Sequence, residues 1–213
     1  MENRIKLNSL YSPANSLIKV KRGVSIILKG QKPDGIYIIK KGLVKIEREV
    51  FSEGNFTTEV CGSEDILGLS EIMNNEDYNF TATCLTSCEL YFVSRKDFYE
   101  SISISPEIYI DLMRYLCNRI ENLENEILVQ SGYNLHDKIN RLMLILARKY
   151  SKSDKRSAGL MITKSDIAEL LKIPERNLDK GISQLISDNI INYSDKGISI
   201  KNLKRLKAVC NEF

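Results

Sequence analysis

The strongest constraint in this sequence is a change in the period of its apolar residues close to Asp97. Between Ser16 and about Val93 the chain is a succession of short apolar runs: LIKV, VSIILK, GIYIIK, LVKIERE, FTTEV, NFTATC and CELYFV. They are rich in Ile, Val, Tyr, Phe and Thr, and several alternate apolar with polar residues. The breaks hold turn formers such as Pro33-Asp34-Gly35, Lys41-Gly42 and Glu53-Gly54-Asn55. Side chains of this kind fit the pleated, half-buried surface of a strand. So many short strands at close spacing predict a small antiparallel barrel or roll.

Beyond Asp97 the period becomes seven. Tyr109, Met113, Leu116, Ile120, Leu123, Ile127 and Gln130 are separated by alternating steps of four and three, which places them on one seam of a long helix reaching about Gln130. Such a seam needs a partner, either the chain's own roll or a second copy. Its continuity over three heptads, with Arg119, Glu121, Glu124 and Glu126 beside it, favours a symmetric two-helix contact. Tyr109, Met113, Leu116, Ile120, Leu123 and Ile127 are therefore assigned to a homodimer interface.

Ser131-Gly132 interrupts the helical pattern and is predicted to be a hinge. A new helix is expected from near Asn134, with Ile139 to Tyr150 as its apolar body, then a polar loop from Lys152 to Gly159. Thr163-Lys164-Ser165-Asp166 places a threonine three residues before an acid, the spacing of a capping box. From Thr163 to Leu185 the chain reads TKSDIAELLKIPERNLDKGISQL, two short helices joined at Lys172-Ile173, which is helix-turn-helix spacing. Ala168 suits the crossing point, and Ile167, Leu171, Leu178, Ile182 and Leu185 close the core. Pro174 is tolerated in a first helical turn, where its missing N–H had no partner. Lys172 at the turn predicts a left-handed lysine costing about 1 kcal/mol. Gly181 inside the second helix points to close backbone approach or to a tolerated defect of similar cost.

The outward face of the second helix carries Glu175, Arg176, Asn177, Lys180 and Ser183. A guanidinium donates twice to guanine O6 and N7, and a carboxamide pairs with adenine N6 and N7. Each such contact discriminates by about 1–3 kcal/mol, so Arg176 and Asn177 are expected to read bases in a major groove. Lys180, Lys164 and Thr163 are expected at phosphates, which position without reading sequence. Ile190-Ile191-Asn192-Tyr193, Ser194-Asp195-Lys196-Gly197 and Ile198-Ser199-Ile200 follow as a hairpin in the position of a wing. Lys201, Lys204, Arg205 and Lys207 add positive charge beside it.

Charge supports this division. From Asp137 onward there are 16 Lys and Arg against 9 Asp and Glu, and before it 15 against 19, so the net +3 is the balance of a basic C-terminal part and an acidic N-terminal part. The basic part is the one expected to meet a polyanion. The opening residues show no signal-like apolar run and no stretch has the length of a membrane helix, so a cytoplasmic protein without membrane attachment is expected. Five cysteines, none in a CxxC pair, predict neither a disulfide framework nor a zinc site. With one histidine and no phosphate-cradling loop, there is no nucleophile and base pair to assign, and no enzyme is expected.

The chain resembles the Crp/Fnr superfamily from about Leu17 to Leu206. The order of elements is the same, and the specific matches are GIYIIKKGLVKI (Gly35 to Ile46) and DIAELLKIPERNLDKGISQL followed by DNII. The resemblance implies an α+β fold: an N-terminal antiparallel β-roll of the cyclic-nucleotide-binding jelly-roll type, a long dimerisation helix and a C-terminal winged helix-turn-helix. The implied boundaries are 1–105, 106–131 and 132–213. The implied function is sequence-specific DNA-binding regulation of transcription by a homodimer, with double-stranded DNA as partner and RNA polymerase as a further one if it activates. The alternative is a cyclic-nucleotide-type regulatory module acting through protein contacts.

The departures concern the signal. Relatives that bind cyclic AMP place an arginine in the phosphate cassette, whereas the matching Gly68 to Thr81 contains no basic residue, so ordinary cyclic AMP binding is not expected. Gly68, Glu71 and Thr81 are the candidate effector-pocket residues; Glu71 is either a shifted relic of the family's glutamate or, on the preferred reading, a surface acid. No cysteine precedes Cys61, which excludes an N-terminal iron–sulfur cluster of the family type. Haem at His136 is the minor reading beside a surface or capping role, so no cofactor is assigned and the effector stays open. Cys84 and Cys88 are read as buried thiols, with a redox pair as the alternative. At the recognition helix, Glu175-Arg176 with Lys180 exchanges the family's usual order of acid and base, implying a different half-site.

Overall fold

The computed structural model describes residues 17–50, 54–130, 134–151, 162–194 and 197–210. The period-two region forms eight strands: β1 (Leu17–Val20), β2 (Ser25–Ile27), β3 (Gly35–Lys41), β4 (Val44–Val50), β5 (Gly54–Cys61), β6 (Ile66–Leu67), β7 (Thr81–Cys84) and β8 (Cys88–Ser94). They make two antiparallel four-stranded sheets, ordered β1-β8-β3-β6 and β2-β7-β4-β5. Alternation along the strands turns Ile39, Val44, Ile46, Ala82 and Leu90 into a shared interior core. Facing apolar side chains hold the sheets as a roll, each fully buried one contributing about 1.5–3 kcal/mol.

Two helical segments in this half escape the strand pattern. A short helix α1 (Leu69–Asn74) follows β6, and α2 (Arg95–Ile104) precedes the long helix α3 (Pro106–Gln130). The last two are separate helices. They separate at Ser105, which is extended (φ −128°, ψ 103°) because the residue before a proline is pushed out of the helical region.

Helix α3 has two apolar stripes. Ile108, Leu112 and Tyr115 are buried against the roll with Phe98 and Ile66, and the Tyr115 hydroxyl accepts from the Ile66 N–H at 3.0 Å. Arg119 extends that stripe with a 2.5 Å ion pair to Glu59. The predicted seam is the other stripe: Tyr109, Met113, Leu116, Ile120 and Leu123 are exposed, with Met113 at 60%. The side chain of Ile127, the predicted hinge at Ser131-Gly132 and the loop from Lys152 to Gly159 lie outside the described residues.

The C-terminal part is built from α4 (Leu135–Ser151), α5 (Lys164–Leu171), a 3-10 turn (Glu175–Leu178), α6 (Asp179–Ser187), the hairpin β9 (Ile191–Ser194) with β10 (Gly197–Ile200), and α7 (Leu203–Cys210). Ile139, Met143, Leu146, Ile167, Leu178, Ile182, Leu185, Ile198 and Leu206 share one core. Leu43, Val60 and Leu85 of the roll belong to the same core, so the two parts are docked together. Among the described residues no helix is long and apolar enough to cross a membrane.

Candidate nucleic-acid interface

Helix α5 begins where the capping signal places it. The Asp166 N–H donates to Thr163 Oγ1 at 3.1 Å, and the Thr163 N–H donates to Asp166 Oδ2 at 2.7 Å, completing the box. Its end is a Schellman motif: Lys172 is left-handed (φ 55°), its N–H donates to Glu169 O at 3.1 Å, and the Ile173 N–H donates to Ala168 O at 3.0 Å. The motif recovers two orphan carbonyls, which offsets the strain of a left-handed lysine. The chain then re-enters a helical path, but not at once as an α-helix. Glu175–Leu178 is a 3-10 turn, and the α-helix proper starts at Asp179, five residues later than an uninterrupted helix from Pro174 would.

Gly181 faces α4. A Cβ there would meet Ile139 Cδ1 at 2.5 Å, the tip of a buried side chain rather than backbone, so glycine marks close side-chain packing against α4. That approach, with Leu178, Ile182 and Leu185 buried, seats the second helix and turns its opposite face to solvent. Glu175, Arg176, Asn177, Lys180 and Ser183 are all exposed. Among the described residues, the side chains of Arg176, Asn177, Lys180 and Ser183 make no hydrogen bond or ion pair. The two expected phosphate contacts on α5 are differently placed. Lys164 donates to Asp179 Oδ1 at 2.7 Å, a bond that raises its pKa, and lies 5.0 Å from the centre of the Tyr193 ring. The Thr163 hydroxyl is occupied by Asp166, donating to its Oδ2 at 2.8 Å. The wing strands are present, and the tip, Asp195-Lys196, lies outside the described residues. Arg205 donates to Asp188 O at 2.8 Å and Lys201 to Asn189 Oδ1 at 2.5 Å, so both are drawn to the C-terminal end of α6, where cations are favoured.

The cyclic nucleotide-binding domain family matches residues 17–104. The chain is 22% identical over 187 residues to the CRP-like cAMP-activated global transcriptional regulator of Mycobacterium tuberculosis, covering 87% of this chain and 84% of that protein. It is 24% identical over 211 residues to the anaerobic regulatory protein of Pasteurella multocida, covering 96% and 75%. Over most of its length this chain is similar to transcription regulators of the Crp/Fnr type. A solved CRP-family transcriptional regulator of Thermus thermophilus has the same fold, with a TM-score of 0.70 at 17% identity over 92% of this chain and 97% of that one.

The chain departs from expectation inside the roll. Gly68 is left-handed (φ 81°) at the start of α1, and a Cβ there would lie 3.1 Å from Tyr78. Tyr78 is buried, donates to Gly35 O at 3.2 Å, and has its hydroxyl pKa pushed up, first by burial and then by Tyr37, Asp34 and Glu71. Its ring therefore occupies the space beside Gly68. Glu71 is 6% exposed, which corrects the surface-acid reading: the first turn of α1 directs it inward. Thr81 Oγ1 accepts from the Lys29 N–H at 3.3 Å. The Gly68 to Thr81 stretch has no base of its own, yet β4 brings Arg48 to it, hydrogen-bonded to Asn79 and 5.5 Å from the centre of the Phe80 ring. No local pattern could have found Arg48, since β4 and β7 meet only through sheet pairing. Cys84 and Cys88 are buried in the roll, with Cys88 Sγ donating to Leu43 O at 3.4 Å. His136 is half-buried near Gly181, 3.9 Å from the position of its added Cβ.

A second group of residues escaped sequence reading altogether. Arg22 holds both oxygens of Asp166, at 2.9 and 2.7 Å, and donates to Leu85 O at 2.6 Å. Lys45 and Thr57 both donate to Glu169 Oε1, at 2.7 and 2.6 Å. Lys149 donates to Val60 O at 2.5 Å, and the Ser63 N–H donates to Lys149 O at 3.0 Å. These contacts pin α5 and the end of α4 to the roll.

Proposed function

We propose that the chain works as a homodimer that reads a pseudo-palindromic operator, with 1–105 as sensor, 106–131 as pairing helix and 132–213 as reading unit. The observation that carries this is the seating of the second helix. Its buried side is fixed by close packing at Gly181, and Arg176, Asn177, Lys180 and Ser183 point outward with their hydrogen-bonding capacity unspent. Arg176 and Asn177 read base edges, Lys180 and Ser183 meet the backbone beside them, and Glu175 borders the site. Thr163 and Lys164 lie at its edge, where Lys164, paired with Asp179, adds less than an unpaired lysine would. The exposed α3 seam pairs the two copies, which places two reading heads about one helical turn of DNA apart. The protein acts in the cytoplasm, carries out no catalysis, and meets RNA polymerase if it activates. Cyclic AMP is not the expected effector, because Tyr78 lies beside Gly68 and the cassette has no cation of its own.

Titration of random and self-promoter duplexes across a salt series tests this. The expected result is a sequence preference together with affinity that falls steeply as salt rises, since neutralised phosphates release counterions. Absence of preference at every salt concentration favours a module that acts through protein contacts. Sedimentation of Leu116→Glu is expected to give a monomer where the wild type is a dimer; an unchanged dimer removes the seam from the interface.

A further inference from the structure

The roll and the C-terminal part enclose a cavity of about 440 Å³, a size typical of small-molecule sites. Three pieces of chain build it: Thr57–Val60 of β5, one face of α4, and the end of α5. Lys138, Arg141, Lys149 and Lys172 line it, and the one acid among its described lining residues, Glu59, is already paired with Arg119. A concave site lined mainly by one sign of charge, with low-dielectric walls, concentrates ions of the opposite sign. The remaining walls are largely apolar, from Val60, Leu142, Ile145, Leu170 and Leu171. A small inorganic anion would leave that surface wetted, whereas an organic anion would cover it.

We propose that this cavity binds an amphipathic organic anion, its headgroup on Lys138 and Arg141 and its apolar body against Leu142, Ile145 and Leu170. The site lies apart from Gly68, Glu71 and Thr81, the residues that the resemblance implies for an effector pocket. Because β5, α4 and α5 each supply a wall, the occupant touches both the roll and two helices of the C-terminal part. A ligand with different affinity for two such arrangements shifts their balance by that difference.

Calorimetric titration of the full-length chain without DNA tests the site independently of operator binding. The probes are decanoate and decyl phosphate, which separate carboxylate from phosphate headgroups, with decanol as the neutral control. At least one anion is expected to bind once per chain and at least tenfold more tightly than decanol. Lys138→Gln with Arg141→Gln is expected to weaken it tenfold or more, while Lys180→Gln leaves it unchanged. If the double variant has a lowered melting temperature without probe, Lys138→Gln alone serves, with at least a threefold loss expected. Anions that bind no better than decanol, or variants that bind as wild type, overturn the proposal.

Discussion

The two helices of the C-terminal hairpin differ in how they use their polar side chains. Helix α5 directs them to its own cap, to the roll and to the start of α6: Asp166 to Thr163 and Arg22, Glu169 to Lys45 and Thr57, and Lys164 to Asp179. The segment from Glu175 to Ser187 buries Leu178, Ile182 and Leu185 and leaves Arg176, Asn177, Lys180 and Ser183 facing water. A buried or paired polar group has little left to offer a new partner, while an unpaired exposed one exchanges water for a ligand at small cost. The first helix is thus anchored to the roll, and the second presents the face proposed to read DNA. What separates the roles is the partner each face is given by the fold.

The largest blow to this contrast should come from Gly181→Val. Overpacking against the buried Ile139 side chain is expected to cost about 1–3 kcal/mol, lowering the melting temperature by several degrees, and to displace the reading helix. Specific DNA binding should fall by more than tenfold in the same sample, and normal binding would show that seating at Gly181 does not set the reading face. Next, Arg176→Ala should lose about 1–3 kcal/mol on the preferred operator and relax selection at one base pair. Lys180→Ala should instead weaken all duplexes alike and flatten the salt dependence by about one phosphate contact. Selection profiles of the two variants sharpen the contrast within the second helix; identical profiles would erase it. The smallest effect is expected on the anchor. Arg22 is 42% exposed, so its pair with Asp166 is worth at most about 1 kcal/mol. Arg22→Ala should leave base selection intact and lower the melting temperature by no more than a few degrees, and altered base selection would place the anchor within the reading machinery.

Much of this was legible in advance where the controlling interactions are local. The strand runs from LIKV to CELYFV, the Thr163 box and the Lys172 turn all follow from neighbours a few residues apart, which periodicity and capping chemistry register directly. The split at Ser105-Pro106 rests on a local rule as well, since the residue before a proline is pushed out of the helical region. Helix α1 is too short to show a helical period, and the burial of Glu71 follows from which way that one turn faces.

The sequence by itself determined the succession of strand region, long helix and helical hairpin with its wing, and the seam on α3, because these are written as periods along the chain. Only the tertiary structure decided that a second stripe of the same helix, Ile108, Leu112 and Tyr115, covers the roll while the seam stays open. It also decided that Arg48 approaches Asn79 and that Arg22 and Lys45 hold α5. Those pairs lie 31, 144 and 124 residues apart, and contacts across such separations depend on how sheets and helices dock, which no local pattern encodes.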